Sequence, residues 1–366
     1  RDFCFRLLRL IRRLVLSAFD EAVRRIERAF VDPFARVLYP DRPVAVVSTP
    51  ASVLARDGTP ANLGLYIGRR RRVATCTGLA WFHDRYLATV NLSSSAIHVY
   101  RHDQVEDSLV LAQSLDGLPE VKYPDNIACS PDGRLLALTN STDGKVNLFR
   151  LDTESHRIVP EVVATLHCAG DRNPHGIAFS PCSTILAYST VDEPGVIRLF
   201  RIEIDRAAGV RATPFQVIEN RFAPMKPKGI DFHPSGRFVA VAYGPNASRE
   251  PRRSARAFVA IYAFDPVEGL IQTPVSRSDP ALRLRCTDDV RCFPNGLRLL
   301  VPDQDSDRAF VLAFDPETGG IGRTELQLCN PNAGLSTPHG CAVAPNGRHF
   351  GITNYGNDSA RIFRLP

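Results

Sequence analysis

The chain lacks the features of a membrane-spanning, zinc-binding or disulfide-rich protein. No apolar run reaches about 18 residues without a charge, so no segment is expected to span a bilayer as a helix. The nine cysteines form no CxxC pair and no Cys/His cluster with zinc-ligand spacing. Cys129, Cys292 and Cys341 lie inside apolar strand patterns, which is typical of small buried residues in a reducing compartment. The sequence therefore predicts a cytoplasmic protein, with attachment to a membrane surface as the alternative.

Lysine is also scarce. Only four lysines occur among 366 residues, so arginine supplies most of the positive charge behind the formal net charge of +6. This mild basicity permits anionic partners but does not require them. Because aromatic residues do not alternate with the basic ones, no nucleic-acid binding is expected. With 44% hydrophobic and 23% charged residues, the chain has enough apolar side chains to bury a core.

The first 40 residues carry a helical pattern. Apolar residues recur at spacings of three and four, which places them on one face of a helix. They are Leu7, Ile11, Val15, Phe19, Val23 and Ile26. Arginines occupy much of the remainder, so residues 1–40 are predicted to form a basic amphipathic α-helical arm. Two interpretations stay open: the apolar face packs on the rest of the protein or a second copy, or residues 1–31 bind a protein partner or an anionic membrane surface.

From residue 73 onward the sequence repeats, and the repeat indicates the fold class. Each copy contains a short apolar strand, a tight turn, a second apolar strand, a polar loop and a third, alternating strand. The clearest copies begin at Tyr123, Asn173, Lys226 and Thr337, and two weaker ones begin at Thr77 and Asp288. A more polar fourth strand is predicted after most of them, for example from Ile271 to Ser276. Four strands per repeat predict the blade of a β-propeller, since radial stacking buries both faces of each small sheet.

Six equivalent positions, one just before each first strand, indicate the number of blades. They are Thr77, Asp125, His175, Lys228, Asp288 and His339, at spacings of 48, 50, 53, 60 and 51 residues, which leave no room for a hidden copy. The last copy ends after its third strand, so the segment from Leu63 to Cys76 is expected to add the missing strand and close the ring. The sequence predicts an all-β propeller of about six four-stranded blades over 73–366, preceded by a linker and ring-closing region at 41–72. Seven blades are the alternative.

The motif Pro-His-Gly-Ile-Ala-Phe-Ser-Pro at 174–181, followed by a Leu-Ala-x-Ser strand and a strand ending in Phe-Arg, resembles the YVTN and 6-phosphogluconolactonase-like β-propellers. The resemblance covers residues 73–366. It implies a lactonase-like propeller in a family that is normally seven-bladed and that includes cyclic-ester hydrolases and surface-layer proteins. Six-bladed gluconolactonase-like and strictosidine-synthase-like propellers are the other comparison. Their Glu, Asn and Asp metal ligands have no residue-by-residue match in this sequence.

The six positions before the first strands are predicted to meet at the mouth of the central channel. Five of them are ionisable and are the candidate catalytic residues: Asp125, His175, Lys228, Asp288 and His339. Two histidines beside carboxylates can perform general acid–base chemistry on an ester or lactone, and a lysine can stabilise an oxyanion. Two alternatives remain open. The same histidines and carboxylates can hold a divalent ion, or they can cap strands and bind water in a purely structural role.

A second set of residues is predicted to bind a small anionic ligand at the same mouth. It comprises Asn126, Asp289, Arg249, Arg252, Arg253 and Arg256. The first two directly follow mouth positions, and the arginines lie in the longest insertion of the repeat. An arginine fork matches carboxylate and phosphate oxygens, so this insertion is either a solvated loop or a clamp for an anion.

Two functions follow from these patterns. In the first, the protein is a lactonase-like propeller that hydrolyses or binds a small polar cyclic ester or an anionic ligand at the channel mouth. In the alternative, it is a non-catalytic interaction propeller that the N-terminal helix recruits to a partner or to a membrane surface.

Overall fold

Strands make up nearly all of the secondary structure that the computed structural model describes. The described residues are 61–67, 76–103, 108–167, 172–205, 209–245, 256–329 and 333–365, and all belong to one unit, Val46–Pro366. The predicted N-terminal arm lies outside them. Within these ranges the regular structure is strands and two short 3-10 turns, Pro280–Leu282 and Gln304–Ser306. No helix among the described residues is long and apolar enough to cross a membrane.

The strands form six antiparallel sheets, each of which is one blade. Blade 1 contains β2 (Cys76–Phe82), β3 (Tyr86–Asn91), β4 (Ala96–Asp103) and β5 (Ser108–Asp116), and blade 2 contains β6 (Pro124–Cys129), β7 (Leu135–Asn140), β8 (Lys145–Asp152) and β9 (Arg157–His167). Blade 3 contains β10 (Pro174–Phe179), β11 (Ile185–Thr190), β12 (Val196–Asp205) and β13 (Gly209–Glu219), and blade 4 contains β14 (Lys226–Phe232), β15 (Phe238–Gly244), β16 (Phe258–Asp265), β17 (Gly269–Leu270) and β18 (Ser276–Arg277). Blade 5 contains β19 (Arg291–Cys292), β20 (Arg298–Asp303), β21 (Arg308–Asp315) and β22 (Gly320–Cys329), and blade 6 contains β23 (Pro338–Val343), β24 (His349–Asn354), β25 (Ser359–Arg364) and β1 (Ala61–Ile67). The inner strands contact one another in ring order, which confirms the six-bladed propeller.

The ring is closed by a strand from the N-terminal side of the repeats. β1 pairs antiparallel with β25, with Ala61 opposite Arg364 and Ile67 opposite Ala360. This pairing covers the otherwise open edge of the last blade. The strand lies within the predicted closing region but ends earlier than expected, and Cys76 begins the inner strand of blade 1 instead.

The outer strand of blade 4 differs from the prediction. The segment from Ile271 to Ser276 is expected to be one strand, but β17 ends before it at Leu270 and β18 begins only at its last residue, Ser276, and each pairs separately with β16. Pro274 lies in the gap and has no N–H to donate to a ladder, so a continuous strand is unfavourable there.

Apolar side chains pack between neighbouring blades and form the core. One cluster joins Leu199 of blade 3 to Ile230, Val241 and Tyr262 of blade 4, and each of the four is at most 2% exposed. Every residue of the second strand β7 is buried, because both of its faces lie against another blade. This two-sided burial explains why the second strands read as nearly continuous apolar runs.

Five of the six inner strands are irregular where they near the channel. In each of these the register with the second strand shifts at the equivalent point, as between Pro174 and Ile177. Such a bulge re-aims the side chain that it contains. The residue after the mouth position is glycine in four blades, and a Cβ atom at Gly176 would overlap the carbonyl oxygen of Lys228 in the next blade. Close approach of the next blade therefore requires glycine at Gly176.

Buried hydroxyl groups link adjacent blades beside these bulges. Thr139 Oγ1 accepts a hydrogen bond from the Asn126 amide at 2.9 Å and donates to the His175 carbonyl oxygen at 3.1 Å. Ser189 and Thr353 make the corresponding contacts in blades 3 and 6. The backbone of the mouth residues is thus held from two blades at once.

Candidate functional site

Three mouth residues, Asp125, His175 and His339, reach the channel through the same local structure. Each follows a proline, and each proline follows a residue in the left-handed region. These preceding residues are Tyr123 (φ 49°), Asn173 (φ 48°) and Thr337 (φ 49°). The bulge in the inner strand comes directly after, so the three side chains are delivered to the axis in equivalent orientations.

The carboxylate of Asp125 lies between the two histidines. His175 Nε2 is 3.7 Å from Asp125 Oδ2, and His339 Nε2 is 3.7 Å from Asp125 Oδ1. The centroids of the imidazole rings are 5.3 Å apart, with 31° between the ring planes. One nitrogen from each ring and one carboxylate oxygen lie within 4.8 Å of one another. Side chains from blades 2, 3 and 6 therefore converge over the axis.

Lys228 and Asp288 extend the same cluster through blades 4 and 5. The Lys228 ammonium donates a hydrogen bond to Asp288 Oδ1, and that oxygen is also 3.7 Å from His175 Nε2. The two residues are 6% and 1% exposed, and the two histidines are about as buried. All five predicted catalytic residues thus belong to one buried cluster. Their catalytic role stays a prediction.

Ion pairing governs the protonation of Lys228 and Asp288. Burial by itself raises the pKa of Asp288, but the Lys228 ammonium and the two imidazoles outweigh it and lower that pKa to about 2. For Lys228, burial favours the neutral amine, yet the carboxylate of Asp288 holds its pKa above the ordinary value. Both groups are charged at neutral pH, and the pair keeps an ammonium at the channel mouth.

The imidazole of His175 is held neutral by its surroundings. Burial lowers its pKa, and this effect outweighs the carboxylates of Asp125 and Asp288, which favour the charged form. A neutral imidazole has a free lone pair on one ring nitrogen, so it can accept a proton or bind a metal ion.

Three neighbours of the cluster were not predicted. The ring of Tyr355 stacks on His339 with centroids 5.8 Å apart, and Ser141 Oγ donates to Asp125 Oδ2 at 3.3 Å. Cys286 Sγ is 3.6 Å from Lys228 Nζ. Ser141 and Tyr355 both directly follow the last residue of a second strand, so alignment of the repeats at this position would have pointed to them.

Thr77, the sixth mouth position, contributes to packing between blades. Its Oγ1 donates to the carbonyl oxygen of Pro124 at 3.1 Å, and the residue is 1% exposed. The five ionisable mouth residues thus form the cluster, whereas the Thr77 hydroxyl links blade 1 to blade 2.

Asn126 and Asp289 lie one residue further along the channel wall. Asn126 Oδ1 accepts from the Ile127 amide at 2.8 Å, and Asp289 Oδ2 accepts from the Cys341 amide of the next blade at 3.0 Å. Both side chains also contact Arg291, so much of their polar capacity is used within the protein. Their predicted ligand-binding role stays a prediction.

Arg291 crosses the channel beneath the cluster. From blade 5 its guanidinium reaches Asn126 Oδ1 of blade 2 at 3.3 Å, and it donates to the Ile230 carbonyl oxygen of blade 4 at 2.7 Å. It also pairs with Asp289 Oδ1 at 3.2 Å. Because blades 2 and 5 are opposite in a ring of six, this side chain occupies the channel, so a ligand at the cluster has to enter from the mouth.

The predicted arginine clamp is largely outside the described residues. Arg249, Arg252 and Arg253 lie there, and Arg256, which precedes β16, is exposed. The predicted partner-binding segment, residues 1–31, is also outside them. Both expectations stay predictions.

Known structures share this fold at low sequence identity. A periplasmic gluconolactonase from Pseudomonas aeruginosa matches with a TM-score of 0.51 at 20% identity, over 80% of this chain and 74% of that one. The chain has the fold of lactonase-like β-propellers. A candidate 6-phosphogluconolactonase from Bacteroides fragilis matches at TM-score 0.50 and 18% identity over 69% of each chain, and one from Bacteroides uniformis at 0.50 and 19% over 68% and 69%. No protein-family model and no curated protein sequence matches the chain.

Proposed function

We propose that this protein hydrolyses a small polar cyclic ester at the axial cluster. The observation that carries the proposal is the position of Asp125 between His175 and His339, with the Lys228 ammonium in the same cluster. Hydrolysis adds water to the lactone carbonyl carbon, breaks the ring C–O bond and yields a hydroxy acid. The reaction requires a group that takes a proton from the water and a positive charge near the oxyanion.

The residues of the cluster suit these two requirements. A neutral imidazole accepts the proton of the attacking water, and the Asp125 carboxylate stabilises the imidazolium that forms. The Lys228 ammonium has three N–H donors and uses one on Asp288 and one on Cys286 Sγ, so one remains for the carbonyl oxygen as negative charge develops on it. The leaving alkoxide takes a proton back from the imidazolium. No residue outside the cluster is needed for this cycle.

The shape and polarity of the site favour a small, hydroxylated substrate. The cluster residues are largely buried, and Arg291 fills the channel beneath them. A substrate at the mouth therefore meets polar and charged side chains rather than apolar ones. The neighbours in fold include a gluconolactonase and candidate 6-phosphogluconolactonases, which makes sugar lactones the first compounds to test.

The test measures turnover of a panel of lactones, and turnover is monitored through the proton that is released as each hydroxy acid forms. The panel contains glucono-δ-lactone, its 6-phosphate and simple aliphatic γ- and δ-lactones. His175→Ala and His339→Ala should each lower kcat/KM at least about 100-fold, the usual scale for loss of a general acid–base group. His167→Ala is the matched control, because that histidine is exposed on an outer strand. Full activity in both cluster variants, or no turnover of any lactone by the natural protein, contradicts the proposal.

A further inference from the structure

The geometry points to a single divalent transition-metal ion bound by Asp125, His175 and His339. The inference concerns the same cluster and rests on the proposed function only for the role of the ion in turnover. Binding of the ion follows from the side chains themselves and is measured without a substrate.

The three side chains supply a recognised set of ligand atoms. Two imidazole nitrogens and one carboxylate oxygen are typical of catalytic zinc and related sites, in which three protein ligands leave a position open. A tetrahedral ion with bonds of about 2.1 Å holds its ligand atoms about 3.4 Å apart. Each Nε2 is already 3.7 Å from an oxygen of Asp125, and all three atoms lie within 4.8 Å. The three atoms therefore need to approach one another by no more than about 1.4 Å to hold one ion.

The hydrogen-bonding capacity of the Asp125 carboxylate is only partly used by the described part of the protein. Its Oδ1 is buried and accepts no hydrogen bond from the described part of the chain, and its Oδ2 accepts from Ser141 at 3.3 Å. The two imidazoles at 3.7 Å are too distant to donate conventional hydrogen bonds. A buried carboxylate oxygen without a partner is costly, and a cation between the three side chains would supply that partner.

The local charge is also suited to a divalent ion. A histidine binds a metal ion as the neutral imidazole, so beside a bound ion the formal charges to count are the carboxylates of Asp125 and Asp288 and the ammonium of Lys228, which sum to one negative charge. A divalent ion changes this to one positive charge, and a bound hydroxide would bring it to zero. Arg291 adds little to this balance, because Asp289 pairs with it. The cluster is therefore not too positive to accept the ion.

The ligand set predicts which ions bind. Calcium requires six to eight oxygen ligands and magnesium prefers oxygen with retained water, whereas this cluster offers one carboxylate and two nitrogens. Zinc and cobalt(II) should therefore bind far more tightly than calcium or magnesium. In the proposed reaction the ion would activate the attacking water by lowering its pKa, in place of proton removal by a free imidazole, and Lys228 would remain available for the oxyanion.

The test treats the 366-residue protein with a chelator, removes the chelator by gel filtration, and then titrates the protein with cobalt(II) chloride or zinc chloride. Cobalt(II) binding is followed by its visible absorption, and zinc binding by calorimetry. We expect one ion per chain, and at least about 100-fold weaker binding in His175→Ala, His339→Gln and Asp125→Asn. The exposed His167→Ala and Cys182→Ser variants should bind as the natural protein does, and circular dichroism and thermal unfolding identify any variant that has not folded.

Three results would overturn the inference: no stoichiometric cobalt or zinc binding, unchanged binding in folded cluster variants, or calcium binding as tight as zinc binding. The outcomes also separate the two proposals. Stoichiometric binding without hydrolysis of any lactone leaves the metal site standing and contradicts the hydrolase. Full lactone hydrolysis by metal-free protein supports the hydrolase and contradicts the role of the ion in turnover, while the titrations decide whether the ion binds.

Discussion

Replacing Arg291 with methionine should destabilise the propeller by about 3–5 kcal/mol at pH 7.5, the usual cost of removing one partner from a buried ion pair. Methionine retains most of the apolar stem but has no charge and no N–H donor. Arg291 is 8% exposed, and its guanidinium donates to the Ile230 carbonyl oxygen at 2.7 Å and to Asn126 Oδ1 at 3.3 Å, while it pairs with Asp289 at 3.2 Å. The substitution removes contacts to three blades and leaves the Asp289 carboxylate buried without its counter-ion.

The size of this effect should depend on pH, because two carboxylates rely on Arg291. Burial raises the pKa of Asp231 to about 6 even though the Arg291 guanidinium opposes the shift, and burial also raises the pKa of Asp289. Both folded-state pKa values lie above the unfolded value. The stability that each group contributes is therefore fully present below about pH 4 and, for Asp231, is lost as the pH rises through about 6.

Without Arg291 the two pKa values should rise further, so the variant should lose stability more steeply than the natural protein as the pH increases. Each additional pKa unit corresponds to about 1.4 kcal/mol. The difference in free energy of unfolding between the two proteins should accordingly be smaller at pH 5 than at pH 7.5, by at least about that amount.

Urea unfolding between pH 5 and 8 measures this difference. Far-UV circular dichroism reports the strands, and fluorescence of Trp81, the single tryptophan, reports blade 1. Arg323→Met is the control, since Arg323 is exposed on an outer strand and its loss should change stability by no more than about 0.5 kcal/mol. A loss below about 1 kcal/mol in Arg291→Met, or a loss that does not vary with pH, would refute the reasoning.

Two further substitutions test how the blades meet near the axis. Gly176→Ala places a Cβ atom against the Lys228 carbonyl oxygen and should cost about 1–3 kcal/mol, whereas Gly320→Ala in an outer hairpin should cost less. Comparison of their urea midpoints decides this, and equal midpoints would contradict the close-approach argument. Thr139→Val removes the hydroxyl between blades 2 and 3 and should cost about 1–3 kcal/mol in the same assay. Val90 occupies the equivalent position in blade 1, so a valine side chain fits at this point of a blade. A negligible loss of stability in Thr139→Val would show that the hydroxyl contributes little.

The fold was largely predictable because each blade is encoded by a local pattern. The spacing from Thr77 to His339 sets six equivalent turns, and the alternation of apolar residues sets the strands between them. The break in the outer strand of blade 4 was not predicted, since the apolar pattern around Pro274 still resembles a strand. Only the pairing with β16 shows where the strand stops and resumes.

The sequence predicted which residues form the cluster at the channel mouth, but not the charged residues that lie further along the channel. Repeat alignment named the five ionisable residues of the cluster. The same alignment contains a further indication at the fourth residue of each inner-strand motif, counted from the mouth position as the first. That position is occupied by Ala80, Ala128, Ala178, Asp231, Arg291 and Ala342. An acid and a base in adjacent blades, where the other blades have alanine, indicate a charged pair in the channel.

The sequence by itself determined the number of blades, the order of the strands and the residues that face the channel mouth, because these depend on spacings within one repeat. The tertiary structure alone decided that Asp125 lies between two histidines and that Arg291 reaches Asn126 across the ring. Those contacts join residues up to 214 positions apart, the separation of Asp125 and His339. They depend on the radius of the ring and on bulges that turn side chains toward the axis, and no local pattern specifies either one.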